Sequence, residues 1–133
     1  MPTFHAELVK QIGSQIFAAA GATGHEARIV SDSLVEANLA GHDSHGILRI
    51  PEYVGWMEQK LVTMGAHIRI VQEADSFAVV DGGWGFGQVV GREAMELAIT
   101  LPDVTPMAVL KFACEGESPP GTWTRLVCVS LRR

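Results

Sequence analysis

Val80-Asp81-Gly82-Gly83-Trp84-Gly85-Phe86-Gly87-Gln88 opens the segment that decides the fold, joining an apolar strand candidate to a helical run that lasts to Ile99. A strand, then glycines, then a helix is the setting in which backbone amides cradle a dinucleotide pyrophosphate. The spacing Gly-x-Gly-x-x-Gly fails here in both registers. Counted from Gly83, the third glycine position holds Gln88; counted from Gly85, it holds Val90. No Gly-Lys-Ser/Thr follows that would mark a P-loop. The glycines therefore read first as residues that turn the backbone at positive φ and let a helix pack closely on a sheet. Phosphate binding stays as the alternative.

Upstream of the glycines the period is two. His67-Ile68-Arg69-Ile70-Val71 alternates, Phe77-Ala78-Val79-Val80 is a short buried-strand candidate, and Glu73-Ala74-Asp75 between them can turn a hairpin. Further back the period becomes helical. Leu8, Ile12, Ile16 and Ala19 predict a helix from His5 to Ala20, with Gly21 as its left-handed stop. Thr23 and Glu26 form a Thr-x-x-Glu capping box for a second helix with Val30, Leu34, Ala37 and Gly41 on its apolar face. These two helices are expected to pair antiparallel, with both stripes in the core. Pro51 fits the first turn of a third helix running to about Lys60, whose stripe is Val54, Met57 and Leu61. Helices first, then strands with one more helix, predict an α/β fold in which N-terminal helices precede a mixed-sheet layer.

Downstream the character changes. Val104 to Phe112 can form a strand through Met107-Ala108-Val109-Leu110. Four of the six prolines and both cysteines, Cys114 and Cys128, lie beyond residue 101, and from Ala113 onward no period can be assigned. The expected division is residues 1–101 as one unit and 102–133 as a divergent tail.

Composition narrows the classes. A chain of 133 residues supports one domain with a real core. Its hydrophobic share of 47% and mean hydropathy of +0.19 place it among globular proteins rather than disordered ones. A net charge of −5, with no basic cluster except Arg132-Arg133, argues against a nucleic-acid partner. No apolar run reaches membrane-span length, and Met1 to Glu7 lacks the pattern of a secretory signal. A cytoplasmic location and no membrane partner are the expectations. The two cysteines have no metal-type spacing and suggest no disulfide framework.

Between the second and third helices stands Asp43-Ser44-His45-Gly46-Ile47-Leu48-Arg49-Ile50-Pro51, with Tyr53 just behind. An imidazole titrates near neutrality, with an unperturbed pKa of about 6.5. A guanidinium is a permanent cation whose planar fork fits a carboxylate in two hydrogen bonds. A proton donor beside a carboxylate clamp is what an enzyme reducing a 2-keto acid requires. The plainer alternative makes Asp43 or Ser44 a helix cap, with His45 and Arg49 ordinary solvated side chains. His42 and His45, three apart, could also share a helix face and hold a metal, but no third ligand stands at a convincing spacing, so no metal site is expected.

The run DSHGILRIPEY, Asp43 to Tyr53, resembles the N-terminal motif of the malate/L-lactate dehydrogenase family of NAD(P)-dependent oxidoreductases. VDGGWGFGQVVGREAMELAI, Val80 to Ile99, is similar to that family's second block, with its Asp-Gly, Gly-Gln and Ala-Met helix. The family also holds sulfolactate, ureidoglycolate and diketogulonate dehydrogenases and is unrelated to the Rossmann-type lactate and malate enzymes. The resemblance implies a non-Rossmann α/β fold, a homodimer, NAD or NADP as cofactor, and a small 2-hydroxy or 2-keto acid as substrate. It makes His45 the proton donor and Arg49 the holder of the substrate carboxylate, with Ser44 orienting His45 or the substrate; cofactor-binding residues stay unassigned. Agreement runs over roughly residues 5 to 100. A later Ser/Asn-x-His motif of the family is expected where Phe112-Ala113-Cys114-Glu115-Gly116-Glu117 stands, and no histidine follows His67. The expectation is a truncated, inactive family member, its last thirty or so residues read out of frame. The competing account is a natural short form whose helices serve as a non-catalytic interaction module.

Overall fold

A threonine three residues ahead of a glutamate begins the longest helix of the first half. Thr23 Oγ1 accepts from the Glu26 amide at 3.2 Å, and the Glu26 carboxylate accepts from the Thr23 amide at 2.9 Å, closing the predicted capping box. The computed structural model describes residues 3–74, 77–100, 108–113 and 123–131, and the chain divides into two units, Met1–Gly65 and Ala66–Arg133. The first unit holds α1 (Ala6–Ala19), α2 (Gly24–Leu39), two single 3-10 turns (Asp43–His45 and Ile47–Arg49) and α3 (Ile50–Glu58). Gly21 and Gly41 stop the first two helices at φ +107° and +81°, where a side chain would be strained. Pro51 sits in the first turn of α3 as expected.

α1 and α2 pair through a different face of α1 than its apolar stripe predicts. Leu8, Ile12 and Ile16 are exposed, as is Ala19, while Gly13 and Phe17 are buried. The cause is close approach. Ser31 on α2 donates its hydroxyl to the Lys10 carbonyl at 2.8 Å, and a Cβ on Gly13 would lie 2.3 Å from that hydroxyl oxygen. From α2, Val30 and Leu34 enter the core as predicted. Leu61 is exposed instead, and α3 reaches the core through Tyr53, Trp56 and Met57. The Tyr53 ring stands 6.2 Å from that of Phe17 and 5.0 Å from that of Trp56, so three aromatic rings join α3 to α1.

The second unit holds β1 (Arg69–Ala74), β2 (Phe77–Phe86), α4 (Gly87–Thr100), β3 (Ala108–Ala113) and β4 (Trp123–Leu131). They form one sheet in the order β1-β2-β4-β3, with α4 against it. Helices followed by a sheet-and-helix layer is the expected plan. Every described strand pair is antiparallel, however, so the sheet does not mix directions. β1 pairs antiparallel with β2, the strand that follows it, as the expected hairpin requires, and is exposed along its whole length as an edge strand. Residue 75, part of the expected turn, and residues 104–107, the start of the expected third strand, lie outside the described residues. The stretch after Ala113 without assignable period contains β4, which pairs with β2 on one side and β3 on the other.

Rather than forming a loop, the glycines continue β2 with a break in register between Asp81 and Gly85. Gly83 at φ +57° and Trp84 at φ +61° turn the chain there, an irregularity of the bulge kind that bends a strand toward a following helix. Asp81 fixes it, its Oδ1 accepting from the Gly83 amide at 2.9 Å and its Oδ2 meeting Arg69 Nη2 at 3.3 Å. The helix then buries Val89, Val90, Ala94 and Ala98.

Candidate active site

The connection from α2 to α3 is built from backbone turns and one side chain. Past Leu39, the His42 amide bonds to the Ala37 carbonyl at 2.8 Å, which completes the helix end at Gly41. Two 3-10 turns follow. The amide of His45 bonds to His42 O at 2.9 Å, that of Gly46 to Asp43 O at 3.0 Å, and that of Arg49 to Gly46 O at 2.9 Å. Asn38, in the last turn of α2, reaches across them. Its Nδ2 donates to Asp43 Oδ1 at 2.6 Å, and its Oδ1 accepts from the Ile47 amide at 2.8 Å. Gly46 is buried beneath it, and a Cβ there would lie 2.0 Å from Asn38 Oδ1. Only glycine lets the amide span Asp43 to Ile47. Asp43 and Ser44 make no side-chain cap to a following helix, so the capping alternative is not realised.

The three predicted site residues come together on this frame. Ser44 Oγ lies 3.0 Å from His45 Nδ1, and Arg49 Nε donates to the Ser44 carbonyl at 2.8 Å. Ser44 and His45 are exposed, and Arg49 is half-buried. Arg49 Nη1 also pairs with the Glu52 carboxylate one turn along α3. The hydrogen bond to Glu52 and the charge of that carboxylate hold the Arg49 guanidinium above its ordinary pKa, so Arg49 is a cation at every physiological pH.

With Nδ1 facing Ser44, Nε2 is the ring nitrogen turned to a further partner. A serine hydroxyl both donates and accepts. With Nδ1–H donating to Ser44 Oγ, a protonated ring can give up its Nε2 proton and is left as a neutral imidazole. In that neutral ring Nε2 is bare and can take a proton back, so the pair can serve either direction of a reversible proton transfer.

Two residues of the site, Asn38 and Glu52, are absent from the sequence reading. Asn38 carries a weak signal: an amide side chain that helix interiors disfavour stands in the last turn of α2, five residues before Asp43. Glu52 stands at i+3 from Arg49, the spacing at which opposite charges meet on a helix. His42 and His45 gain no third ligand; among the described residues no group of three histidine, cysteine, aspartate or glutamate side chains could hold a metal. The glycine segment keeps its incomplete dinucleotide spacing, and one of its glycines has a packing reason. A Cβ on Gly85 would meet Ala66 at 3.0 Å, the Gly82 carbonyl at 3.2 Å and Val90 at 3.3 Å, so glycine lets the end of β2 pack closely there. No described helix is long and apolar enough to cross a membrane.

A capped helix pair, a turn bearing Ser-His and Arg, and a helix packed on an antiparallel sheet define a non-Rossmann α/β class. The sequence profile described as malate/L-lactate dehydrogenase matches residues 4–113, and the chain belongs to that family. Hydroxycarboxylate dehydrogenase B of Escherichia coli O157:H7 is 43% identical over 96 residues, 72% of this chain and 27% of that protein. L-sulfolactate dehydrogenase of Methanocaldococcus jannaschii is 44% identical over 79 residues, 59% of this chain and 23% of that one. The structure of malate dehydrogenase from Pyrococcus horikoshii OT3 superposes with a TM-score of 0.68 at 36% identity, covering 71% of this chain and 27% of that one. The chain therefore spans about a quarter of the length of the relatives it matches.

Proposed function

We propose that this chain supplies the proton-transfer and carboxylate-holding part of an oxidoreductase that interconverts a small 2-hydroxy acid and its 2-keto acid. One observation carries the reading: a single connection sets the Ser44–His45 pair and the Arg49 guanidinium side by side, with Arg49 bonded to Ser44's own carbonyl. His45 Nε2 gives its proton to the carbonyl oxygen on reduction and takes it back on oxidation. Arg49 holds the carboxylate next to that carbonyl, and Ser44 sets the tilt of the imidazole. Malate, lactate and sulfolactate, the acids in the names of family members, all have this hydroxyl-beside-carboxylate core. NAD or NADP is the hydride carrier this reading requires. Neither glycine register completes a dinucleotide fingerprint, so the 133-residue chain by itself is expected to be inactive.

A second reading has its own support. Phe4, just ahead of α1, and Leu8, Ile12 and Ile16 along it expose 67%, 50%, 48% and 39% of their surface, an apolar stripe of the kind that partners cover. It favours a helical interaction module, or the homodimer that the family resemblance implies. Sedimentation of the chain and of Leu8→Lys tests that face.

The test of the catalytic reading is ligand binding. Oxamate, a 2-keto acid mimic, is titrated into the chain while the His45 ring protons and the Arg49 Nε–H are followed by NMR. Both sets of signals are expected to move with one weak dissociation constant, and Arg49→Lys should weaken binding by roughly 1–3 kcal/mol. Signals that stay still at saturating oxamate would refute the clamp. NADH- or NADPH-dependent turnover by the chain alone would refute its expected inactivity.

A further inference from the structure

Arg49 is already occupied. Its side-on edge, Nε with Nη2, includes the nitrogen bonded to the Ser44 carbonyl at 2.8 Å. Its end-on edge, Nη1 with Nη2, includes the nitrogen paired with Glu52. Each edge that could grip a carboxylate at two points therefore shares a nitrogen with a contact made within the chain. Nη1 has a second hydrogen, but a carboxylate arriving on the end-on edge meets the Glu52 charge beside it, so a two-point grip on Arg49 sets the newcomer in competition with one of those contacts. The Ser44 carbonyl is fixed in a 3-10 turn that Asn38 spans, whereas Glu52 is a long side chain with 40% of its surface exposed. The carboxylate is the easier group to move.

We propose that Glu52 is an affinity-setting residue, an internal carboxylate that holds the Arg49 fork until the substrate's carboxylate exchanges with it. The inference rests on the proposed function above. Chemically the exchange is like for like: one carboxylate leaves a guanidinium as another arrives, and the net charge on the arginine's partners is unchanged. Release of Glu52 is inexpensive for a second reason. It lies in the first turn of α3, where the helix dipole favours a negative charge with or without Arg49. The positive charge of Arg49, reinforced by Glu52, is also never lost while the exchange takes place. Glu52 thus sets a threshold. Ligands that present a carboxylate displace it, and neutral carbonyl compounds leave it in place.

The experiment compares oxamate dissociation constants for the chain, Glu52→Gln, Glu52→Ala, Arg49→Lys and the double variant Glu52→Gln/Arg49→Lys, with the Arg49 Nε–H signal as readout in the arginine-containing forms and amide shifts in all five. Exposed ion pairs of this kind correspond to affinity changes of about two- to fivefold. Glu52→Gln and Glu52→Ala are each expected to bind oxamate tighter by that factor. Measured against Arg49→Lys alone, the double variant should show no such gain, because both have lost the fork that Glu52 occupies. Pyruvamide, the neutral amide of pyruvate, should show no such difference between the parent and Glu52→Gln. Equal or weaker oxamate binding by both single Glu52 variants would overturn the exchange while leaving the catalytic reading intact. A gain that persists in the double variant over Arg49→Lys would also overturn it, since the effect would then bypass Arg49. Binding by none of the five would overturn the exchange together with the reading on which it rests.

Discussion

Gly46 shows how much one missing methyl group can decide. Its Cα lies under the Asn38 amide, and the Cβ of any other residue would fall 2.0 to 2.6 Å from three atoms of that side chain. Gly46→Ala is therefore expected to drive Asn38 off Asp43 and Ile47, at a cost of about 1–3 kcal/mol in urea unfolding. The Ile47 amide should then exchange with solvent faster, because its acceptor has moved. Unchanged stability and exchange in Gly46→Ala would mean that Asn38 has a second rotamer that serves equally well. The motif residues Ser44, His45 and Arg49 were legible because their side chains are unusual in themselves. Asn38 and Glu52 were not, because an asparagine and a glutamate in helices are ordinary until the fold shows what they touch.

Among the elements, the capping box is the feature read most directly from sequence, since both of its hydrogen bonds are local. Thr23→Ala should lose about 1 kcal/mol of stability by thermal melting, and Thr23→Ser much less, because serine keeps the acceptor. Equal losses in the two variants would place the effect in the methyl group rather than the cap. Two element-scale expectations failed for reasons that are not local. The stripe of α1 marks its most apolar side, yet the contact with α2 is made where a glycine and a serine let two backbones approach. Hydropathy does not register that pairing. β4 was missed because a central strand is specified by the neighbours it pairs with on both sides, here β2 and β3, rather than by an alternation of its own. The glycine segment was legible in outline: its failed spacing argued for a turn of the backbone, and Gly83 with Trp84 makes one.

At the scale of the whole molecule, the helical unit is closed by a bond that spans most of it. Glu26, 2% exposed, accepts from Thr23 and also from the Gly65 amide at 2.7 Å, 39 residues further on. The connection carrying His45 and Arg49 lies inside that span, and its most exposed large hydrophobic residue is Leu48, at 73%. Exposed turns are where proteases cut first. Chymotrypsin in limiting amount should nick the chain at Leu48, giving two bands on a denaturing gel. The pieces should nonetheless elute together from a native sizing column, because the Glu26–Gly65 bond and the Phe17–Tyr53 rings still bridge the break. Separate elution would show that the covalent chain, rather than this clasp, keeps the third helix on the first two. If the clasp holds, the peptide bond beside the candidate site is dispensable to the architecture around it, and the two fragments could be prepared apart and mixed to rebuild it.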